Sequence, residues 1–254
     1  MNWLYFLIYI ALEKISLEIL VPILSNINLD VPNSRSSHKL PTPTGGGITF
    51  VFLFNVYSIL NGFWLPLYCL PLAIIGFLDD FLKDGLSRII RFNFQIFTTF
   101  IIIWNSNLFN YYLIDIDNLL IRFLLFLFLL LFGVAAINFA NFMDGLDGLL
   151  TLMMIIIFST LSLGSNTNYL ILVFLLIPFL IKNWNPAKVF MGDGGSTFLG
   201  AFLFGTIMSE NSFYEASKLA VLTFPVLGDA FITVLKKIFY KQNIFLPHRL
   251  HLFQ

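Results

Sequence analysis

The sequence predicts an all-α fold: a polytopic membrane bundle of about nine transmembrane helices with its functional loops on the cytoplasmic face. Three observations predict it. Of 254 residues, 58% are apolar and 11% charged, and the mean hydropathy is +0.88, far outside the range of soluble globular chains. Several continuous apolar runs approach the ~20 residues a helix needs to cross a bilayer, where an outer-membrane barrel would show alternating strands of ~10 residues. The intervals between runs also alternate in charge.

The spans fall near 3–24, 46–62, 64–82, 88–108, 119–139, 148–164, 168–183, 197–210 and 216–240. Arg35, Lys39, Lys83, Arg88, Arg91, Lys182, Lys188, Lys236, Lys237, Lys241 and Arg249 fall on one side. The other side holds little beyond Lys218, with Arg122 just inside a helix. The excess of Lys and Arg makes the first side cytoplasmic, with the N-terminus outside and the C-terminus inside. The first run has no basic leader and no clear cleavage site, so it reads as a retained helix. It carries Glu13, Lys14 and Glu18. Either Glu13 and Lys14 pair inside the bundle, or the second half lies along the interface. The single cysteine, Cys69, excludes an internal disulfide and a Cys-based metal cage. With no repeat, low-complexity tract or linker, residues 1–254 read as one membrane domain.

The stretch Asn138–Leu149, NFANFMDGLDGL, lies between two apolar runs. A charge at the bilayer centre costs roughly 2.5–3.5 kcal/mol, so Asn138, Asn141, Asp144 and Asp147 must sit at a polar junction, where Gly145 and Gly148 let the chain turn. In a helical turn Asp144 and Asp147 share a face. Capping of the next helix accounts for one acid, not for two acids and two amides.

Four more segments carry chemistry. The first inner loop, DVPNSRSSHKLPTPTGGG, offers Arg35, His38, Lys39 and three glycines whose backbone amides can approach an anion; the bland alternative is an ordinary basic loop. GFLDDFLKDG puts Asp79 and Asp80 at the inner end of the third span, where the macrodipole disfavours acids, and this points to a cation partner. KNWNPAKVFMGDGGSTFLG presents Asp193 among glycines, with Ser196 as the expected N-cap of the eighth span and Phe190 and Trp184 available to stack on a ring. Asp229, in the ninth span, reads as mostly structural. The C-terminal PHRLH clusters His248, Arg249 and His251, three donors suited to a diphosphate, against a bland reading as a basic tail.

One regularity joins these segments. Spans two, six and eight each follow a Gly-rich polar stretch, so three positive helix ends face the cytoplasm beside the acids. If Asp79, Asp80, Asp144, Asp147 and Asp193 converge, their repulsion calls for a divalent cation. Oxygen-only ligands select Mg²⁺, or Mn²⁺ in its place.

The ordered set PNSRSSHKLPTPTGGG, GFLDDF, NFANFMDGLDGL, VFMGDGGSTFLG and PHRLH resembles the polyprenyl-phosphate N-acetylaminosugar-1-phosphate transferases, glycosyltransferase family 4, over nearly the whole chain. The closing HRLHLFQ is most similar to the branch that primes O-antigen and related lipopolysaccharide or surface polysaccharides, a part of cell-wall biogenesis. The resemblance implies Mg²⁺-dependent transfer of a sugar-1-phosphate from a UDP-N-acetylaminosugar to undecaprenyl phosphate, with release of UMP. It implies Asp79 as the base that deprotonates the lipid phosphate, with Asp80 beside it, and Asp193 and Asp80 as metal ligands. Asp147 would contact uracil, with Phe190 stacked against it, and Asn138, Asn141 and Asp144 would line the nucleotide site. His248, Arg249 and His251 would bind the diphosphate, with Lys39 assisting. The resemblance further implies a homodimer of ten-helix chains in the bacterial inner membrane; the sequence stops right after the histidine motif, so the expectation is a chain without the family's last helix, either truncated or a member that lives without it. Nucleic acid is not among the expected partners.

Two other functions compete with this one. Asp79, Asp80 and Asp84 form DDxxxD, as in a membrane prenyltransferase, but DGLD and GDG supply no second such motif. An ion-coupled transporter would place acids near the midplane on broken helices, often within inverted repeats. Here the acids cluster at inner helix ends.

Overall fold

The computed structural model describes residues 3–32, 39–82, 85–163, 167–224 and 228. Among them are nine α-helices: α1 (Trp3–Ile27), α2 (Ile48–Asn61), α3 (Leu65–Phe81), α4 (Arg88–Trp104), α5 (Leu119–Met143), α6 (Leu149–Ser162), α7 (Thr167–Asn183), α8 (Gly192–Met208) and α9 (Phe213–Leu222). Each overlaps an apolar run of the sequence. The ninth expected span, 216–240, lies largely outside the described residues, as do Asp229, His248, Arg249 and His251.

The helix boundaries have local causes. Ser87 accepts from the amide of Ile90 and starts α4, and Asn118 accepts from Leu120 and Ile121 and starts α5. Ser212 accepts from Glu215 at the start of α9, with the acid in the favourable first turn. A π-helical turn, Phe109–Leu113, fills part of the connection between α4 and α5. Strands β1 (Leu29–Asp30) and β2 (Thr42–Pro43) pair antiparallel, Leu29 opposite Pro43, and close the neck of the first loop.

The core is built around α8. Every residue from Gly194 to Met208 is buried, and its broadest packing is against α3 and α5. The α3–α8 crossing is close enough to require glycine. A Cβ on Gly76 would lie 2.5 Å from the Gly194 nitrogen, and one on Gly194 would lie 2.8 Å from the Ala73 carbonyl oxygen. Small residues at a crossing let two backbones touch, which is how helices pack where no hydrophobic drive separates them from lipid.

The outside of the bundle is apolar. α5 has a mean hydropathy of 2.8 over its most apolar stretch, only 22% of which is buried, and it exposes Leu119, Leu120, Phe123, Phe128 and Leu131. Among the described residues it is the one helix long and apolar enough to cross a membrane by length and composition; α2, α6 and α7 are apolar but shorter. An exposed face this large and this apolar needs an apolar surrounding.

Three readings of local structure are corrected. α8 begins at Gly192, so Ser196 lies buried inside the helix, its Oγ 3.0 Å from the Gly192 carbonyl oxygen, instead of capping it. Residues 144–148 form a turn, not a helix: Asp144 ends α5, and Gly148, at φ +73°, precedes α6. Asp144 therefore caps no following helix. Glu13 is buried and bonded to Thr49, while Lys14 is exposed, so the two do not pair.

Candidate active site

The α3–α8 crossing brings the last turn of α3 onto the first turn of α8, and with it the adjacent pair Asp79–Asp80 onto Asp193, more than 100 residues further along the chain. The Asp193 amide donates to Asp80 Oδ1 at 3.1 Å. Asp80 thus satisfies an otherwise orphaned donor at the positive end of α8. Its other oxygen, Oδ2, is buried without a hydrogen-bond partner among the described residues. Glycine makes room for it: a Cβ on Gly192 would lie 2.2 Å from Asp80 Oδ2 and 2.8 Å from the Gly45 Cα.

Arg91, in the first turn of α4, bridges the other two acids. Its Nη1 donates to Asp79 Oδ2 at 2.9 Å and to Asp193 Oδ2 at 3.4 Å. The Asp79 side chain is 9% exposed, and its Oδ1 also accepts from the Leu86 amide. Asn141, on the last turns of α5, hydrogen-bonds to Asp193 and accepts from Ser196 Oγ at 2.5 Å. In the turn after α5, the Asp144 carboxyl is held well above the usual carboxylate range, first by loss of solvation and then by Asp193, Asp80 and Asp147. Asp79, Asp80, Asp144 and Asp193 therefore share one electrostatic neighbourhood, with Asn141 between α5 and α8.

The N-terminal ends of α2 and α8 meet at this place, and that of α6 is linked to them through Asn183 at the end of α7. The Gly46 and Gly47 amides donate to the Phe190 and Met191 carbonyls, both at 2.9 Å, and Phe190 donates to Pro43 at 2.8 Å. Buried Asn183 accepts from the Gly148 amide and Thr151 Oγ1, each at 3.1 Å, and donates to the Val189 carbonyl at 3.0 Å. The 189–193 segment is thereby joined to the start of α2 on one side and the start of α6 on the other.

The remaining expected residues have other surroundings. Asp147 accepts from the Ala187 amide at 3.0 Å and fastens the turn to the α7–α8 connection. Asn138 exchanges two hydrogen bonds with Gln95 of α4, at 3.1 and 2.9 Å, and donates to Val134 at 2.8 Å. Phe190 is half-buried, and Lys39 is exposed. His248, Arg249 and His251 lie outside the described residues.

Two residues escaped the sequence reading. Arg91 looked like any other basic residue of an inner loop, although its place one turn into a helix, close after an acid pair, was a usable signal. Asn183 ended an apolar run and carried no motif. The oxygen donors and the unpartnered Asp80 Oδ2 suit a hard divalent cation. With Arg91 between Asp79 and Asp193, no three acidic groups stand at ligand spacing among the described residues. A cation would thus draw further ligands from substrate or water.

The family model for glycosyl transferase family 4 matches residues 63–210, from just before α3 to just past α8. This chain belongs to glycosyl transferase family 4. It is 33% identical to the phospho-N-acetylmuramoyl-pentapeptide-transferase of Staphylococcus carnosus (strain TM300), covering 79% of this chain and 74% of the relative. It is 32% identical to the undecaprenyl-phosphate alpha-N-acetylglucosaminyl 1-phosphate transferase of Thermotoga maritima, covering 88% and 70%. Similarity to the Petrotoga mobilis phospho-N-acetylmuramoyl-pentapeptide-transferase is 29% over 85% and 76%. The family match takes in both Asp79–Asp80 and Asp193, and family membership makes the chain a transferase rather than a transporter.

Proposed function

We propose that this enzyme transfers an N-acetylaminosugar-1-phosphate from a UDP-sugar to undecaprenyl phosphate in the bacterial inner membrane. The observation that carries the reading is the junction of Asp79, Asp80 and Asp193 at the α3–α8 crossing, at the N-terminus of α8 and beside the glycine turn that starts α2. The apolar exterior supports a membrane setting, with the helices as spans and the site toward the cytoplasm, where UDP-sugars are made.

The reaction brings two anions together. An oxygen of the lipid phosphate attacks the sugar-bearing phosphorus of the UDP-sugar, and the bond to UMP breaks; UMP leaves with the bonding pair. The products are UMP and a lipid diphosphate sugar. Positive helix ends and Arg91 offset the charge that develops on the transferred phosphoryl group. Asp79, already partnered by Arg91 and Leu86, orients the lipid phosphate or accepts its proton; a phosphate monoester is largely ionised at neutral pH, so orientation is the larger part. Asp193 and Asp80 would hold Mg²⁺, which when bound supplies Lewis-acid charge to the diphosphate. Asn141, Asp144 and Phe190 would face the nucleotide, Asp147 would reach it from the turn that it holds to Ala187, and His248, Arg249, His251 and Lys39 would bind phosphate oxygens.

The closing HRLHLFQ favours a role in priming a cell-surface polysaccharide such as O-antigen. The test is direct: purified protein, undecaprenyl phosphate, Mg²⁺ and a panel of UDP-N-acetyl sugars, with UMP release measured. One sugar of the panel should support release that depends on the lipid. Absence of release with every sugar would overturn the reading.

A further inference from the structure

Far from the acid cluster in sequence, α1 carries a carboxyl group that the reaction does not use. Glu13 is fully buried, its Oε1 lies 2.6 Å from Thr49 Oγ1, and its Oε2 has no hydrogen-bond partner among the described residues. Thr49 Oγ1 in turn lies 2.9 Å from the Gly46 carbonyl oxygen. One hydroxyl proton cannot serve two acceptors. A proton on the Glu13 carboxyl completes the chain, Glu13 to Thr49 to Gly46.

The segment at the end of that chain is the triple-glycine turn. It is held between two bodies. On one side, Asn28 at the end of α1 exchanges hydrogen bonds with Thr44, accepting its amide at 3.1 Å and donating to its carbonyl at 3.2 Å. On the other, Gly46 and Gly47 are bonded to Phe190 and Met191, and Gly45 lies against Gly192 beside Asp80. A shift of the turn alters the space around Asp80 Oδ2, because Gly45 packs closely on Gly192: a Cβ on Gly192 would lie 2.8 Å from the Gly45 Cα and 2.2 Å from that oxygen.

We propose that Glu13, acting through Thr49, is a positioning residue that sets the triple-glycine turn against Asp80. The proposal rests on the transferase reading for its activity test, and on backbone exchange for a test that does not need it. A simple rivet between α1 and α2 would change how much protein folds and how hot it melts. A positioning residue changes turnover per folded molecule.

The experiment compares wild type, Glu13→Gln, Glu13→Leu, Thr49→Val and the double variant Glu13→Leu/Thr49→Val in one detergent, normalised to folded protein. Glu13→Leu and Thr49→Val should each lower kcat for UMP release about tenfold, with KM for the UDP-sugar held within about threefold. The double variant should be no worse than either single one. Glu13→Gln, which keeps a neutral donor, should restore turnover. Hydrogen exchange in peptides covering 42–51 should speed up in Glu13→Leu and Thr49→Val and return to the wild-type rate in Glu13→Gln. A lower melting temperature with unchanged kcat and exchange overturns the proposal, as do additive losses in the double variant or Glu13→Gln as impaired as Glu13→Leu. A wild type that releases no UMP defeats the transferase reading and leaves the exchange comparison to decide the proposal.

Discussion

The backbone amide of Asp193 donates to the carboxylate of Asp80 at 3.1 Å, across a helix crossing that only glycine permits. This bond ties the end of α3 to the start of α8. It also turns one oxygen of Asp80 toward the helix end and leaves the other buried and unpartnered.

Gly192 is the first place where this arrangement can be broken. Its φ is +79°, and a Cβ there would overlap Asp80 Oδ2 at 2.2 Å. Gly192→Ala should lower stability by about 1–3 kcal/mol from backbone strain alone and displace Asp80 besides. Thermal unfolding in detergent checks the first effect and UMP release the second; a variant that is normal in both would show that the crossing tolerates more than the geometry allows.

Arg91 supplies the positive charge between Asp79 and Asp193. The guanidinium is 39% exposed, so the pair adds little to stability by itself. Its removal leaves two acids facing each other. Arg91→Ala should therefore gain more thermal stability from added Mg²⁺ than wild type does, and UMP release should fall. Equal Mg²⁺ shifts in the two proteins would mean that Arg91 and the cation do not share a site.

The raised Asp144 carboxyl makes a pH prediction. The folded protein holds that proton where the unfolded chain has already lost it, so the folded state binds more protons in that window. Stability without a divalent cation should then fall as pH rises from the ordinary carboxylate range through the raised value. Asp144→Asn should flatten that slope. A slope unchanged in Asp144→Asn would remove Asp144 as its source.

Asn138 separates structure from substrate contact. Its amide is engaged with Gln95 and Val134, linking α5 to α4. Asn138→Ala should lose about 1–3 kcal/mol by leaving Gln95 unpaired, with KM for the UDP-sugar unchanged. A raised KM at normal stability would return Asn138 to the nucleotide site.

What the sequence revealed follows from which signals are local. Apolar runs located the helices because burial and exposure to lipid both demand apolar residues over a helix length. The acid pair and the GDGG stretch stood out because charge is rare in so apolar a chain. Arg91 did not stand out, because inner loops are rich in Arg and Lys whether or not they touch a site. Ser196 looked like a cap because two glycines precede it. The contact between α3 and α8 favours extending the helix back to Gly192, a tertiary gain that outweighs the poor helix propensity of glycine. Asp144 and Asp147 looked like one helical face, but Gly148 adopts a left-handed conformation and the Ala187 amide draws Asp147 to the next connection.

The central claim is that carboxylates from α3 and α8 form one site for phosphoryl transfer. Its most direct test is UMP release from a UDP-N-acetyl sugar by wild type and Asp193→Asn, each reconstituted with undecaprenyl phosphate and Mg²⁺ and matched for folded protein. Lipid-dependent release by wild type and none above background by Asp193→Asn is the predicted result. Near-normal release by Asp193→Asn would contradict it.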